Sequence, residues 1–158
     1  MPIQTIEDLI VHSPVFADLA PAHLELIAGC GHNEHADAGT FLFREGEPAQ
    51  HFWLIRSGSV ALEVHTPGRG QLLIQTLDEH EVLGWSWLFS PYRWATDARV
   101  LTPTGLVEFD AACLRGKVDT DHEFGYQLLR RFAAVVVGRL QATRLQLLDV
   151  YGDARAAV

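Results

Sequence analysis

From Thr40 to Asp110 the chain is cut into short runs by turn residues, and this punctuation limits what it can fold into. Phe41–Phe43, His51–Arg56, Ser59–His65, Gln71–Leu77, Thr96–Leu101 and Gly105–Asp110 are rich in β-branched or aromatic residues. Gly39, Glu45-Gly46-Glu47-Pro48, Ser57-Gly58, Pro67-Gly68-Arg69-Gly70, Gly84 and Pro103 separate them. Glycine supplies positive φ and proline removes a ladder donor, so each cluster ends a strand. Short strands at this spacing predict a mainly β fold with flanking helices, an antiparallel β-barrel or jelly roll over residues 39–112. No internal repeat is visible.

On both sides the period changes. Thr5-Ile6-Glu7-Asp8 has a cap oxygen and a carboxylate three residues on, a capping-box pattern, and Ser13-Pro14 stops the helix that follows. Pro21 sits at the first position of a second short helix, closed by Gly29 or Gly31, so 5–31 reads as N-terminal helices. Thr120-Asp121-His122-Glu123 is another capping-box candidate, opening a long C-terminal helix over 120–151. Leu129, Ala133, Val136, Leu140, Thr143, Leu147 and Val150 follow the 4-3 spacing of a coiled-coil seam. Phe124, Leu128, Phe132 and Val135 form a neighbouring apolar face. Two apolar faces on one helix predict one for the domain and one for a partner, a homodimer or another protein; the alternative is a single broad face covering the barrel.

The 158 residues fit one domain with a sizeable core, 48% of them hydrophobic. A net charge of −8 argues against generic nucleic-acid binding or an anionic membrane surface. Cys30 and Cys113 lie in apolar company and are expected to be buried free thiols. The N-terminus MPIQTIEDLI lacks the pattern of a signal peptide, and no apolar run approaches the roughly 20 residues of a span. A cytoplasmic protein is expected.

Glu81–Val100, EVLGWSWLFSPYRWATDARV, concentrates three of the four tryptophans among glycine, proline and polar groups, and is the expected ligand cradle. The motifs around it carry a resemblance. They are Phe43-Arg44-Glu45-Gly46-Glu47-Pro48-Ala49, then Phe52-Trp53-Leu54-Ile55-Arg56-Ser57-Gly58-Ser59-Val60, then Val82-Leu83-Gly84 with Leu88, and Ala98-Arg99-Val100. With the flanking helices, they resemble a cyclic nucleotide-binding domain, the sensor module of the catabolite activator protein (Crp/Fnr) superfamily. The resemblance implies a cyclic nucleotide-binding-like double-stranded β-helix and a phosphate cassette after Gly84. It also implies a cyclic nucleotide ligand, cAMP or cGMP.

That family places a glutamate after the turn glycine for the ribose hydroxyl and an arginine further on for the cyclic phosphate. Here Trp85 stands in the glutamate slot. Matching from Ala95-Thr96 puts Arg93 in the arginine slot; counting back from Ala98-Arg99-Val100-Leu101 puts Trp94 there. The expected ligand-binding set is Gly84, Trp85, Ser86, Trp87, Arg93, Trp94, Ala95 and Thr96, with a pocket at 84–97. A guanidinium and free backbone N–H groups suit an anion, whereas indoles stack on a base or fill the space. A second reading therefore has Trp85, Trp87 and Trp94 closing the cradle or making it hydrophobic.

Other chemistry is weaker. His32-Asn33-Glu34-His35 invites a metal reading but shows no matching partner set, so these histidines are read as solvated, and no metal is expected. Ser57-Gly58-Ser59 is a turn rather than a nucleophile elbow, and Gly68-Arg69-Gly70 has no Lys-Ser/Thr after it. Neither a catalytic constellation nor a cofactor is expected. In the superfamily's transcription factors a helix-turn-helix follows the long helix; the few residues after Tyr151 are too short for one, so direct DNA binding is not expected. The reading is a stand-alone, non-catalytic regulatory sensor that signals through its C-terminal helix. The alternative is a degenerate, non-binding domain acting as a dimerisation scaffold.

Overall fold

The computed structural model describes residues 5–156. In chain order the elements are α1 (Ile6–His12), α2 (Pro21–Ala28), β1 (Gly31–Ala36), β2 (Phe41–Phe43), β3 (His51–Ser57), β4 (Val60–Thr66), β5 (Gly70–Leu77), β6 (Val82–Leu83), β7 (Asp97–Val100), β8 (Thr104–Asp110), α3 (Ala111–Thr120) and α4 (His122–Ala156). The strands form two antiparallel sheets, β1-β8-β3-β6 and β2-β7-β4-β5. The jelly roll is therefore a double sheet and does not close into a barrel. Tight turns join neighbours such as β4 and β5, but β8 inserts between β1 and β3.

Thr5 and Asp8 form the expected capping box of α1, each side chain accepting from the other's backbone N–H. Pro21 opens α2 without a side-chain cap. Three elements depart from the sequence-based expectation, and one is the two-residue strand Val82–Leu83, which pairs with Leu54 and Trp53 where no strand was expected. Gly31–Ala36 is a strand, although four of its six residues are exposed: its backbone pairs with β8 along Gly31↔Phe109 to Ala36↔Thr104. Ala111–Thr120 is a helix capped by Asp110, whose carboxylate accepts from Cys113 N–H at 3.0 Å. Since α3 runs through Thr120, the residue that caps α4 is Asp121, accepting from Phe124 N–H at 3.0 Å; the Thr120 hydroxyl donates back into α3.

Cys30 and Cys113 are joined by a disulfide rather than left as thiols. The packing of α2 against α3 brings them together: Lys117 Nζ donates to Leu26 O at 2.7 Å, and Asp110 N–H to Cys30 O at 2.9 Å. A sequence separation of 83 gave no local signal of this pairing.

The core is aromatic where the helices meet the first sheet. Phe52 stacks on Phe109 (4.6 Å between centroids) and on Trp87 (4.9 Å), and Phe132 of α4 meets Phe52 and Trp87 edge-on, each at 5.1 Å. Phe124, Leu128, Phe132 and Val135, the expected inner face of α4, are all buried. Arg131 anchors the same helix to the N-terminal segment, donating to Val15 O at 3.0 Å and pairing with Asp18. The other face of α4 is open, with Leu129, Leu140, Leu145, Leu147 and Leu148 exposed. Val150, the last seam residue, and Tyr151 have side chains outside the described residues.

Phe132→Ala should cost about 3–5 kcal/mol, because it empties a site ringed by Phe16, Phe52 and Trp87. Denaturant unfolding measures this, and a loss below about 1 kcal/mol would show that α4 is held by other contacts.

Candidate functional site

A cavity of about 370 Å³ opens between the sheet β2-β7-β4-β5, the segment after Gly84 and α4. The strands contribute Phe43, Leu62, Val64 and Ile74 to its wall. Ile74 reaches it at a bulge: pairing steps from Leu62↔Gln75 to Glu63↔Leu73, leaving Ile74 as the extra residue. The cassette supplies Gly84, Trp85, Ser86, Trp94, Ala95 and Thr96, and α4 supplies Val136, Arg139, Leu140 and Thr143.

Gly84 sets the cassette's path. Its φ is +99°, and a Cβ there would lie 2.9 Å from Trp94 Cζ3, so no other residue fits without displacing the indole. Trp94 in turn stacks on Phe43 at 3.8 Å and 11°, and Phe43 stacks on Trp53 at 5.7 Å. The aromatic wall is thus one continuous packed layer linking the two sheets.

Asp97, buried at the start of β7, ties the neighbouring turn to this layer. It accepts from Glu45 N–H at 2.7 Å and from Gln71 Nε2 at 3.3 Å, with Arg44 nearby. Beside it Arg99 donates twice to buried Glu63, at 2.7 and 3.3 Å, which raises the guanidinium pKa above its ordinary value.

Two of the eight expected ligand residues lie elsewhere. Trp87 is fully buried in the aromatic core, and its backbone carbonyl accepts from Arg115 at 2.6 Å. Arg93 is held by a bridge to Pro48, and its guanidinium donates to Gly46 O at 2.9 Å, so it does not line the cavity. The bridge fixes the side of the turn that Arg93 faces, and one-dimensional motif matching carries no such information.

Arg139 was missed by motif reasoning because it comes from α4, 55 positions after Gly84. It is the cation on the cavity wall among the described residues, and it is committed to the protein. It donates to Val82 O at 2.5 Å and lies 3.5 Å from Gln75 Oε1. Burial lowers its pKa, with Glu81 acting in the opposite direction. Among the described residues the cavity wall holds no carboxylate. Besides Arg139, its polar side chains are Ser86, Thr96 and Thr143.

A profile described as "Cyclic nucleotide-binding domain" matches residues 33–121, more than half of the chain. The chain belongs to the cyclic nucleotide-binding domain family. A Geobacter metallireducens protein assigned to cyclic nucleotide binding superposes with a TM-score of 0.77 at 26% identity, covering 87% of this chain and 99% of that one. A cyclic nucleotide-binding domain from Methylobacillus flagellatus also gives 0.77, at 16% identity over 92% and 82% of the two chains, which bears on the fold alone. The CRP-like cAMP-activated global transcriptional regulator of Mycobacterium tuberculosis is 23% identical over 145 residues. That match covers 92% of this chain and 63% of the regulator, so the chain spans less than two thirds of that relative. A transcriptional regulator and proteins described as cyclic nucleotide-binding are thus what this domain is similar to. No helix among the described residues is long and apolar enough to cross a membrane.

Gly84→Ala combines positive φ with a clash against Trp94, and should destabilise the domain by about 1–3 kcal/mol. It should also change the tryptophan emission of the folded protein. A variant with parental stability and emission would contradict the stated role of Gly84.

Proposed function

We propose that this domain is a non-catalytic ligand sensor whose cavity accepts a small, neutral, mostly apolar molecule and transmits its occupancy through α4. One observation carries the reading: the cassette and α4 line the same cavity, so a single ligand touches both. A ligand shifts a helix only by its different affinity for the helix's two arrangements, and shared contact is what makes that difference available. Family membership and the resemblance to regulators support the sensor role. The chemistry of the wall supports the change of ligand class, because Trp85 stands where a carboxylate is expected, Arg93 faces Gly46, and Arg139 is engaged with Val82. An anionic cyclic phosphate entering this wall would lose water and find no uncommitted cation among the described residues. The six cassette residues from Gly84 to Thr96 that line the cavity are the proposed ligand contacts, with Val136, Leu140 and Thr143 as their helical complement.

A neutral environment-sensitive dye, Nile red, tests this directly, with Val136→Trp filling the cavity from the helix side. We expect saturable dye binding by the parent and at least a tenfold loss in the variant, which should melt as the parent does. Cyclic AMP and adenosine should compete equally poorly, since the phosphate has nothing to pair with. Displacement by micromolar cyclic AMP, with adenosine inactive, would instead mean a phosphate-reading site.

The exposed seam favours a further element of the reading, assembly with a second copy of the chain. Leu140 and Leu147 are 65% and 55% exposed, on a helix whose 4-3 spacing lets identical seams interlock. The helix therefore offers one residue, Leu140, to both the cavity and the dimer seam. Leu140→Glu with Leu147→Glu should convert a dimer to a monomer in sedimentation velocity while leaving the melting of the β-sandwich in place. A parent that sediments as a monomer at high concentration would remove the dimer from the account.

A further inference from the structure

The first sheet brings together a group of side chains that the cavity does not use. β8 lies between β1 and β3, and Glu108 pairs with His32 on one side and Trp53 on the other. Glu34 is two residues beyond His32 on β1, and His51 two residues before Trp53 on β3, so strand alternation turns all four polar side chains to one face. That face also carries Trp53, which stacks on Phe43 of the opposite sheet. The cluster therefore sits at the mouth of the gap between the sheets, where Glu108 and His51 line a second cavity of about 300 Å³.

The distances are those of a ligand set. His32 Nε2 lies 2.9 Å from Glu34 Oε1 and 3.5 Å from Glu108 Oε2, and one donor atom from each of the three residues falls within 4.8 Å of the others. Tetrahedral zinc with bonds of ~2.1 Å holds its ligand atoms ~3.4 Å apart, so small side-chain adjustments suffice. The second oxygen of Glu108 faces His51 Nε2 at 3.1 Å. A hydrogen bond there would orient the carboxylate from outside the coordination sphere.

We propose that His32, Glu34 and Glu108 bind a divalent transition cation of the zinc type, with His51 as the positioning residue and the remaining coordination position open to water. Imidazole and carboxylate donors suit this class, whereas calcium and magnesium prefer all-oxygen sets. The electrostatics agree with the geometry. Burial holds the Glu108 carboxyl above its ordinary pKa, and Glu34 adds to that despite opposing influences from His51 and His32. A bound cation would relieve the cost of two close carboxylates. The site would clamp edge strand β1 to β8 and β3, which is the part of the sheet whose side chains are most exposed.

Isothermal titration of the full chain with zinc, and cobalt absorption as a geometric readout, test the proposal. We expect one equivalent bound at neutral pH, a raised melting temperature, and cobalt d–d bands of tetrahedral intensity. His32→Ala and Glu108→Gln should each weaken binding ~10–100-fold or abolish it, and His51→Ala should weaken it ~10-fold while leaving the stoichiometry intact. His35→Ala, on the opposite face of β1, should change nothing, and melting in the absence of metal checks that each variant is folded. The proposal is overturned if millimolar zinc leaves the parent's melting temperature and heat of titration unchanged. Binding that survives undiminished in both His32→Ala and Glu108→Gln would overturn it equally, since the metal would then sit on other histidines.

Discussion

The stack of Phe52 on Trp87 and Phe109, closed edge-on by Phe132, is the contact on which the rest of the structure depends. It joins the central strand β3, the last strand β8, the segment after Gly84 and the long helix, four pieces far apart in sequence. Aromatic rings bury large areas and prefer offset or edge-on geometry, so the stack fixes orientation as well as distance. Because Trp87 and Trp94 are both fixed by packing, the chain between them is pinned at both ends, and the cassette becomes a wall rather than a loose loop.

One face of α4 is buried against the first sheet through Phe124, Leu128 and Phe132, and the next turns reach the cavity through Val136, Arg139 and Leu140. Arg139 tethers this second part to the β6 backbone, so the helix meets the sandwich at two places, one apolar and one polar. In the proposed reading a ligand between cassette and helix acts on the second place alone. The cavity between them has an apolar wall of Trp85, Trp94 and Phe43, and Arg93 is bound to a backbone carbonyl in a turn.

Much of this was legible in the sequence because periodicity reports burial. Strands β2 to β5, β7 and β8 and the inner face of α4 carry apolar residues at the spacing their packing demands. β1 was not legible, because an edge strand exposing four of its six residues has no apolar alternation to read. α3 was hidden by its polar surface, with only Ala111 and Leu114 buried. The disulfide arises from packing between α2 and α3, which no local pattern encodes, and thiols in apolar company gave the opposite expectation. At the cavity, Gly84 announced the turn, and the nearby tryptophans announced an aromatic wall. Which tryptophan faced inward and where Arg93 pointed were decided by the Phe43 stack and the Pro48 bridge. Arg139 lay outside the motif altogether.

The central claim is that cavity and helix respond together, and backbone hydrogen exchange tests it most directly. Exchange would be followed across the whole chain with the cavity empty and with it saturated by Nile red, at fixed protein concentration. The account predicts slower exchange in the cassette, 84–96, and in α4 around 136–143 at the same dye concentration, with β1 and β8 unchanged. Protection confined to the cassette, or none in either segment, would contradict it.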